Sequence, residues 1–184
     1  NTYFYTLGSL LSIDAIHHWA TAIGLGELSG IDLPHEVQGI MPSTEWKRTT
    51  TGEPWYPGET ISVSIGQGPV TVTPVSLAVA IAMVANGGRR LTPYLLKATD
   101  TGDGWVPAPP PPLKSVVSLK PETIETLQRG LWLVVNRAGT GGRARIAGRD
   151  VMGKTGTAQV ISIKGKEAAG DTDMDLRDHG WFVF

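Results

Sequence analysis

Apolar residues recur at helical spacing in several separate stretches of this chain, with long polar, glycine- and proline-rich passages between them. "TYFYTLGSLL" (2–11) reads as one helix, and Ser12 as the cap of a second that carries Ile13, Ile16, Ala20 and Ile23 on one stripe. The Gly24 to Gly26 region ends it. Residues 27–60 show little periodicity and predict a long ordered loop, pinned by the large rings of Trp46, Trp55 and Tyr56. A short alternating run from Ile61 breaks at Gly66-Gln67-Gly68. Thr73 and Pro74 then supply an N-cap and a first helical residue. The helix they open runs to Asn86, stops at Gly87-Gly88, and is apolar on most faces, which predicts the central helix of the core. The proline run "PAPPPPL" (107–113) reads as a stiff surface connector. A further helix from Pro121 to Arg137 places Ile124, Leu127, Leu131 and Val134 on one stripe. A glycine-rich connection (137–148) follows, then "VMGKTGTAQVISI" (151–163), strand-like from Thr155 on, a polar, mobile excursion (164–176) and a last strand, "GWFVF". Strands therefore concentrate late in a helix-rich chain, and no internal repeat is visible.

Composition narrows the function. A content of 41% hydrophobic and 18% charged residues over 184 positions fits one folded domain with a sizeable core. The net charge of −1 lacks the basic excess that a nucleic-acid partner demands. With no cysteine there is no disulfide, thiolate nucleophile or thiolate metal site. The longest apolar run, "VSLAVAIAMVA" (75–85), is about half of the roughly 20 residues a membrane helix needs. The chain opens on Asn1 straight into Tyr3 to Tyr5 and closes on an apolar strand, so it is expected to be part of a larger protein, truncated at both ends.

The sharpest chemical signal is "GRDVMGKTGTAQV" (148–160), which fits two patterns at once. Gly148 to Thr155 matches the phosphate-loop spacing G-x-x-x-x-G-K-[ST], while Lys154 to Thr157 matches the Lys-Thr-Gly signature of penicillin-interacting serine acyltransferases. A phosphate loop needs a buried strand before the first glycine and a helix springing from the lysine. Here "GGRARIA" is a poor strand, Asp150 would oppose a triphosphate, and "AQVISI" after Gly156 is strand chemistry. No nucleotide is expected. On a strand, alternation sends Lys154 and Gly156 to one face and Thr155 and Thr157 to the other. Gly156 then leaves room for a substrate backbone, and the Lys154 ammonium is free to hold an anion or assist proton transfer. By itself the tetrapeptide is better read as an ordinary edge strand ending near solvent.

"NTYFYTLG", "GIDLP", "MPSTEWK", "WYPGETISVSIGQG", "TVTPVSLAVAIAMVANGG", "KTGTAQV" and "LRDHGWFVF", in this order, resemble the transpeptidase domain of class B penicillin-binding proteins, of the elongation type. The resemblance covers nearly the whole chain and weakens across 98–120 and 164–175. It implies an α+β, serine β-lactamase-like fold, an antiparallel sheet covered by helices, with residues 1–184 forming its C-terminal-side portion. It also implies a peptidoglycan D,D-transpeptidase working through a serine acyl-enzyme, with Lys154, Thr155 and Gly156 as its third motif. Thr157 would add the oxyanion amide and a contact to the substrate carboxylate. Asn1 would close a Ser-x-Asn motif, and Gly66, Gln67 and Gly68 would line or buttress the cleft. No serine in the sequence is followed three residues later by lysine, so the nucleophile is expected upstream of Asn1. Implied partners are stem peptides ending in D-Ala-D-Ala, β-lactams and a shape-determining glycosyltransferase. No cofactor or metal is expected, and the implied location is the periplasmic side of a bacterial inner membrane. A septal transpeptidase, a D,D-carboxypeptidase, a serine β-lactamase or a non-catalytic β-lactam sensor would share these motifs.

Other constellations carry less. "DTDMDLRDHG" (171–180) begins like a calcium loop but has Leu176 where glycine is required and Phe182 where the closing carboxylate belongs. It reads as a solvated acidic loop. His17 and His18 are adjacent and point to different sides of a helix, and His35 is isolated. His179, after Asp178, is expected to make a structural hydrogen bond.

Overall fold

The computed structural model describes residues 1–159 and 178–184. They form two compact units, Asn1–Glu125 and Thr126–Phe184. The excursion expected at 164–176 and most of the acidic stretch after Asp171 lie outside the described residues.

The first unit opens with α1 (Thr2–Leu10) and α2 (Ile13–Ala22), separated by Ser12, whose hydroxyl accepts the Ala15 amide at 3.1 Å. Helix α1 packs against α4 (Pro57–Val63) at Gly8. A β-carbon there would sit 2.6 Å from Ser64 Oγ and 3.3 Å from Ile61 Cα, so only glycine lets the two backbones approach this closely. The first turn of α2 is tied to the start of α3 (Thr44–Thr51) by Asp14, which accepts the Thr44 amide at 2.9 Å and its hydroxyl. From the second turn of α2, His17 Nδ1 lies 2.9 Å from Met41 O, which accounts for one of the paired histidines as structural.

Residues 27–43 form the ordered loop that the sequence implies, held by polar contacts. The Glu36 carboxylate accepts the Ser29 amide and hydroxyl and the Gly30 amide. Burial alone would raise the Glu36 carboxyl, but those Ser29 and Gly30 bonds and the Lys114 charge hold it below its ordinary value. Asp32 accepts the amides of Leu96 and Leu95, which lower its carboxyl in turn. Ile40 pairs with Thr71 through mutual backbone bonds of 2.8 and 3.0 Å.

From residue 44 onward the loop expectation fails. Two short helices, α3 and α4, occupy the ground expected to be irregular, and the alternating run from Ile61 is the end of α4. Neither helix shows apolar periodicity, and both are made by their ends. Ser43 caps α3 by accepting the Trp46 amide at 3.0 Å, and Gly52 closes it at φ 75°. Pro57 opens α4, and Glu59 reaches back to the Tyr56 amide at 2.9 Å. Between them lies Lys47, only 6% exposed, with its ammonium 2.6 and 2.7 Å from the two Glu59 oxygens and 4.5 Å from the Tyr56 ring centre. Trp55 closes the other side, 5.8 Å from the same ammonium, and donates to Thr60 Oγ1 at 2.9 Å. Trp55 and Tyr56 thus anchor the segment as expected, but around a buried cation instead of an apolar cluster.

Helix α5 (Pro74–Ala85) follows the sequence reading closely, with Thr73 accepting the Ser76 amide at 3.1 Å. Its burial is narrower than its composition suggested. Ser76, Val79, Ala80 and Met83 form one buried stripe, while Ala78, Ala82 and Ala85 are exposed. Gly88 ends the helix at φ 92°, its amide on Met83 O, and its α-carbon lies against the Val117 carbonyl, where a β-carbon has no room. Strands appear here earlier than expected. β1 (Arg89–Leu91) pairs antiparallel with β4 (Leu113–Val116), and β2 (Ala98–Asp100) with β3 (Trp105–Pro107). At three or four residues each, they are too short to register as alternating patterns in the sequence.

The second unit contains α6 (Pro121–Asn136) from Thr126 on, a 3₁₀ turn (Gly142–Ala144), β5 (Lys154–Ala158) and β6 (His179–Val183). The buried residue of α6 is Val135, at 1% exposed, whereas Leu127 of the expected stripe is 42% exposed. β5 and β6 pair antiparallel with Lys154 opposite Val183 and Ala158 opposite His179. In both units the architecture is α+β, helices with small antiparallel sheets.

Two outcomes test this packing. Gly88→Ala imposes a left-handed conformation on alanine and a clash with Val117 O, and should cost about 2 kcal/mol or more in denaturant unfolding of the intact protein. Glu59, held low by the Lys47 ammonium and then by the Tyr56 amide, joins Asp32 and Glu36 as a carboxylate more acidic in the fold than outside it. A depressed folded value gives stability that is fully present above the ordinary carboxylate range and lost as pH falls through the folded values. The melting temperature should therefore fall as pH is lowered from 5 to about 3, and Glu59→Gln should flatten that slope.

Candidate functional site

The strand that carries Lys154-Thr155-Gly156-Thr157 is positioned from behind by one aromatic ring. Phe182 on β6, paired in register with Thr155, lies against Gly153 and Gly141. A β-carbon on Gly153 would stand 2.7 Å from Phe182 Cζ, and one on Gly141 would stand 3.2 Å from Cε2. The Gly153 amide donates to Leu131 O of α6 at 3.1 Å, which sets the entry of the chain into β5. Asn136 fixes the chain two residues earlier by donating to Val151 O at 2.8 Å.

Alternation follows from that anchoring. Thr155 faces with Phe182, and its hydroxyl lies 2.5 Å from that of Thr140, in the glycine-rich connection. Thr140 is a site residue that sequence reasoning missed, because nothing in its neighbourhood announces a contact with a strand fifteen residues later. Lys154, Gly156 and Ala158 take the other face, in register with Val183, Trp181 and His179. Lys154 is exposed, and its ammonium turns back to donate to Thr155 O at 2.6 Å. It forms no salt bridge among the described residues.

Gly156 differs from Gly153. An added β-carbon would meet only Trp181 Cβ, at 3.9 Å, an ordinary contact, and its φ is not positive. Neither packing nor backbone conformation within the described residues requires glycine here. The bare flank is open space beside the Lys154 ammonium. β5 also pairs only with β6 among the described residues, so its second edge is open. Along that edge every second residue of β5 turns its backbone N–H and C=O outward, with the period of two that strand geometry imposes. An extended ligand backbone fits such an edge, and a lysine charge with hydroxyl groups nearby suits one that ends in a carboxylate.

The phosphate-loop alternative is excluded on geometry. Lys154 begins a strand, not a helix, and no strand precedes Gly148 after α6. His179 lies exposed at the first position of β6, opposite Ala158, and its side chain makes no hydrogen bond among the described residues. No cluster of three or more metal-ligating side chains exists among the described residues. No helix among them is long and apolar enough to cross a membrane.

The remaining expected site residues belong to the first unit. Asn1 is exposed and precedes α1, where its carbonyl accepts the Tyr5 amide at 3.0 Å while its side chain makes no capping bond. Gly66, Gln67 and Gly68 form a tight turn after α4, with Gly66 at φ 76° and Gly68 at φ 75°. The amides of Gly66 and Gln67 bond back to Val63 O and Ser62 O. The glycines of this turn are accounted for by backbone conformation.

Comparison with known proteins gives one consistent answer. The family model described as the penicillin-binding protein transpeptidase domain matches residues 1–183. A protein of Acinetobacter baumannii named peptidoglycan D,D-transpeptidase MrdA is 38% identical over the whole chain, which spans 27% of that protein's length. Penicillin-binding protein 2 of Pseudomonas aeruginosa, solved in complex with WCK 5153, superposes with a TM-score of 0.79 at 36% identity, over 98% of this chain and 38% of that one. Penicillin-binding protein 2 of Helicobacter pylori, solved in complex with MreC, gives 0.78 at 29% identity, over 98% of this chain and 31% of that one. Matched along nearly its full length by the family model and by relatives of one kind, the chain belongs to the penicillin-binding protein transpeptidase family.

Proposed function

We propose that this chain is the Lys-Thr-Gly-bearing portion of an elongation-type peptidoglycan D,D-transpeptidase. The observation that carries the reading is the exposed strand Lys154–Thr157, with an open edge and an unfilled flank at Gly156, in a chain of this family. The nucleophile is a serine outside residues 1–184, since no serine here has lysine three positions on. That serine attacks the penultimate D-Ala carbonyl of a stem peptide, and the amide C–N bond breaks, releasing the terminal D-Ala with a proton on its amine. An amine of a neighbouring stem then attacks the ester, forming the cross-link and returning the proton to the serine.

Lys154 holds the donor's terminal carboxylate and lowers the barrier by charge. The Thr157 amide stabilises the oxyanion, and its hydroxyl adds a carboxylate contact. The Thr155 hydroxyl, tethered to Thr140, keeps the strand from twisting away. Asn1 closes a Ser-x-Asn motif, and the Gly66-Gln67-Gly68 turn buttresses the cleft. A β-lactam enters as a mimic of the D-Ala-D-Ala terminus and leaves a stable acyl-serine. The protein acts on the periplasmic side of a bacterial inner membrane, beside a shape-determining glycosyltransferase, and the MreC complex of the Helicobacter pylori relative supports a place in a shape-determining assembly.

In the intact protein, a fluorescent penicillin should label covalently. Lys154→Ala should slow acylation by about 10²-fold or more while leaving the melting temperature within a few degrees, because the lysine is exposed. Undiminished labelling of Lys154→Ala overturns its assigned role. Gly156→Val should leave the fold intact, since the β-carbon meets no close neighbour, yet abolish labelling by filling the flank. Normal labelling by a folded Gly156→Val would show that no ligand backbone passes there.

A further inference from the structure

The second unit also carries a cluster of arginines outside β5. Six basic residues and one acidic residue fall between Arg129 and Lys154, in a chain whose net charge is −1. Three of those arginines, Arg137, Arg145 and Arg149, line one cavity of about 560 Å³ together with Trp132, Asn136 and Asp150. The frame is fixed by polar contacts. Trp132 Nε1 donates to Asp150 Oδ1 at 3.1 Å, and Asn136 Nδ2 donates to Trp132 O at 3.1 Å and Val151 O at 2.8 Å. The Arg137 guanidinium lies 5.9 Å from the Trp132 ring centre. None of the three guanidinium groups forms a salt bridge among the described residues.

Charge decides what fits. Three guanidinium groups against the single Asp150 carboxylate, itself engaged by an indole, leave two positive charges facing one cavity. All three arginines are exposed, and none of them is ion-paired with a carboxylate among the described residues, so their charge is available to a ligand. A carboxylate ligand neutralises only half of the surplus. A phosphate monoester or diphosphate carries about two negative charges at neutral pH and offers several oxygens to the planar donor fork of arginine. We infer that this cavity is an anion site for a phosphate-bearing ligand, held by Arg137, Arg145 and Arg149. The inference does not depend on the acyl-transfer reading, because none of these residues belongs to the Lys154 strand.

The phosphate has two sources, a soluble ester or the headgroup of an anionic lipid, and two arms of one experiment separate them. Titration calorimetry of the intact protein with inorganic pyrophosphate at low ionic strength should show saturable binding. Arg145→Gln with Arg149→Gln should weaken it at least about tenfold, and high salt should weaken it too. Arg145→Lys with Arg149→Lys should bind between the two, keeping charge but losing the fork. Arg129→Gln, outside the cavity, should match the parent, and all variants should keep the parent melting temperature because both cavity arginines changed are exposed. In the second arm, the protein is pelleted with vesicles containing phosphatidic acid, whose headgroup is a phosphate monoester, or with vesicles of phosphatidylcholine alone. Pyrophosphate binding without arginine-dependent pelleting supports a soluble phosphate ligand. Pelleting on phosphatidic acid that the glutamine pair abolishes supports a headgroup. Failure of both arms, or an equal loss in Arg129→Gln, overturns the site.

Discussion

The contact of the Phe182 ring with Gly153 and Gly141 is the constraint on which the second unit depends. It lets β6 lie close against the turn that enters β5, and it fixes which face of β5 is turned inward. Thr155 is thereby directed to Thr140, and Lys154 and Gly156 are left on the side that nothing in the described chain fills. A residue larger than glycine at 153 would push the ring out and rotate the strand. With a period of two, a shift of one residue would exchange the lysine for a threonine on the outward face. The chemistry is thus oriented by packing on the opposite side of the strand.

This arrangement explains why two glycines only three residues apart have different standing. Gly153 is filled by Phe182, so its lack of a side chain is a packing requirement. Gly156 has space and an ordinary backbone, so its lack of a side chain is explained only by something outside the described chain. The first unit shows the same contrast: Gly8 and Gly88 are dictated by close neighbours, whereas Gly66 and Gly68 are dictated by backbone conformation alone.

Long periodic elements were legible in the sequence. The helices at 2–10, 13–22, 74–85 and 121–136 and the strand at Lys154 all follow from apolar spacing, from the caps Ser12 and Thr73, and from β-branched content. What escaped were elements made by their ends or by distant partners. Helix α3, "TEWKRTTT", has a single large apolar residue, and only Ser43 and Gly52 mark its limits. Strand β1 exists because it pairs with β4, more than twenty residues on, while β2 and β3 are neighbours, and strands of three or four residues leave no period to read. At the site, the Lys-Thr-Gly motif was visible as letters, while Thr140 and the Phe182 contact needed the fold. The buried Lys47 was the least legible feature. A lysine in a polar stretch reads as solvated, and its burial depends on Glu59, twelve residues on, and on two rings that also looked like simple anchors.

An unpaired strand edge is also a hazard, because it can template another chain as readily as it can receive a ligand. Folding of the Lys154 ammonium onto the Thr155 carbonyl places a cation on that edge and occupies one of its acceptors. A second copy approaching edge to edge would have to displace it and would bring two like charges together, whereas a partner carrying negative charge meets no such obstacle. One side chain therefore acts as a gatekeeper against self-association while leaving the strand edge open to anionic guests.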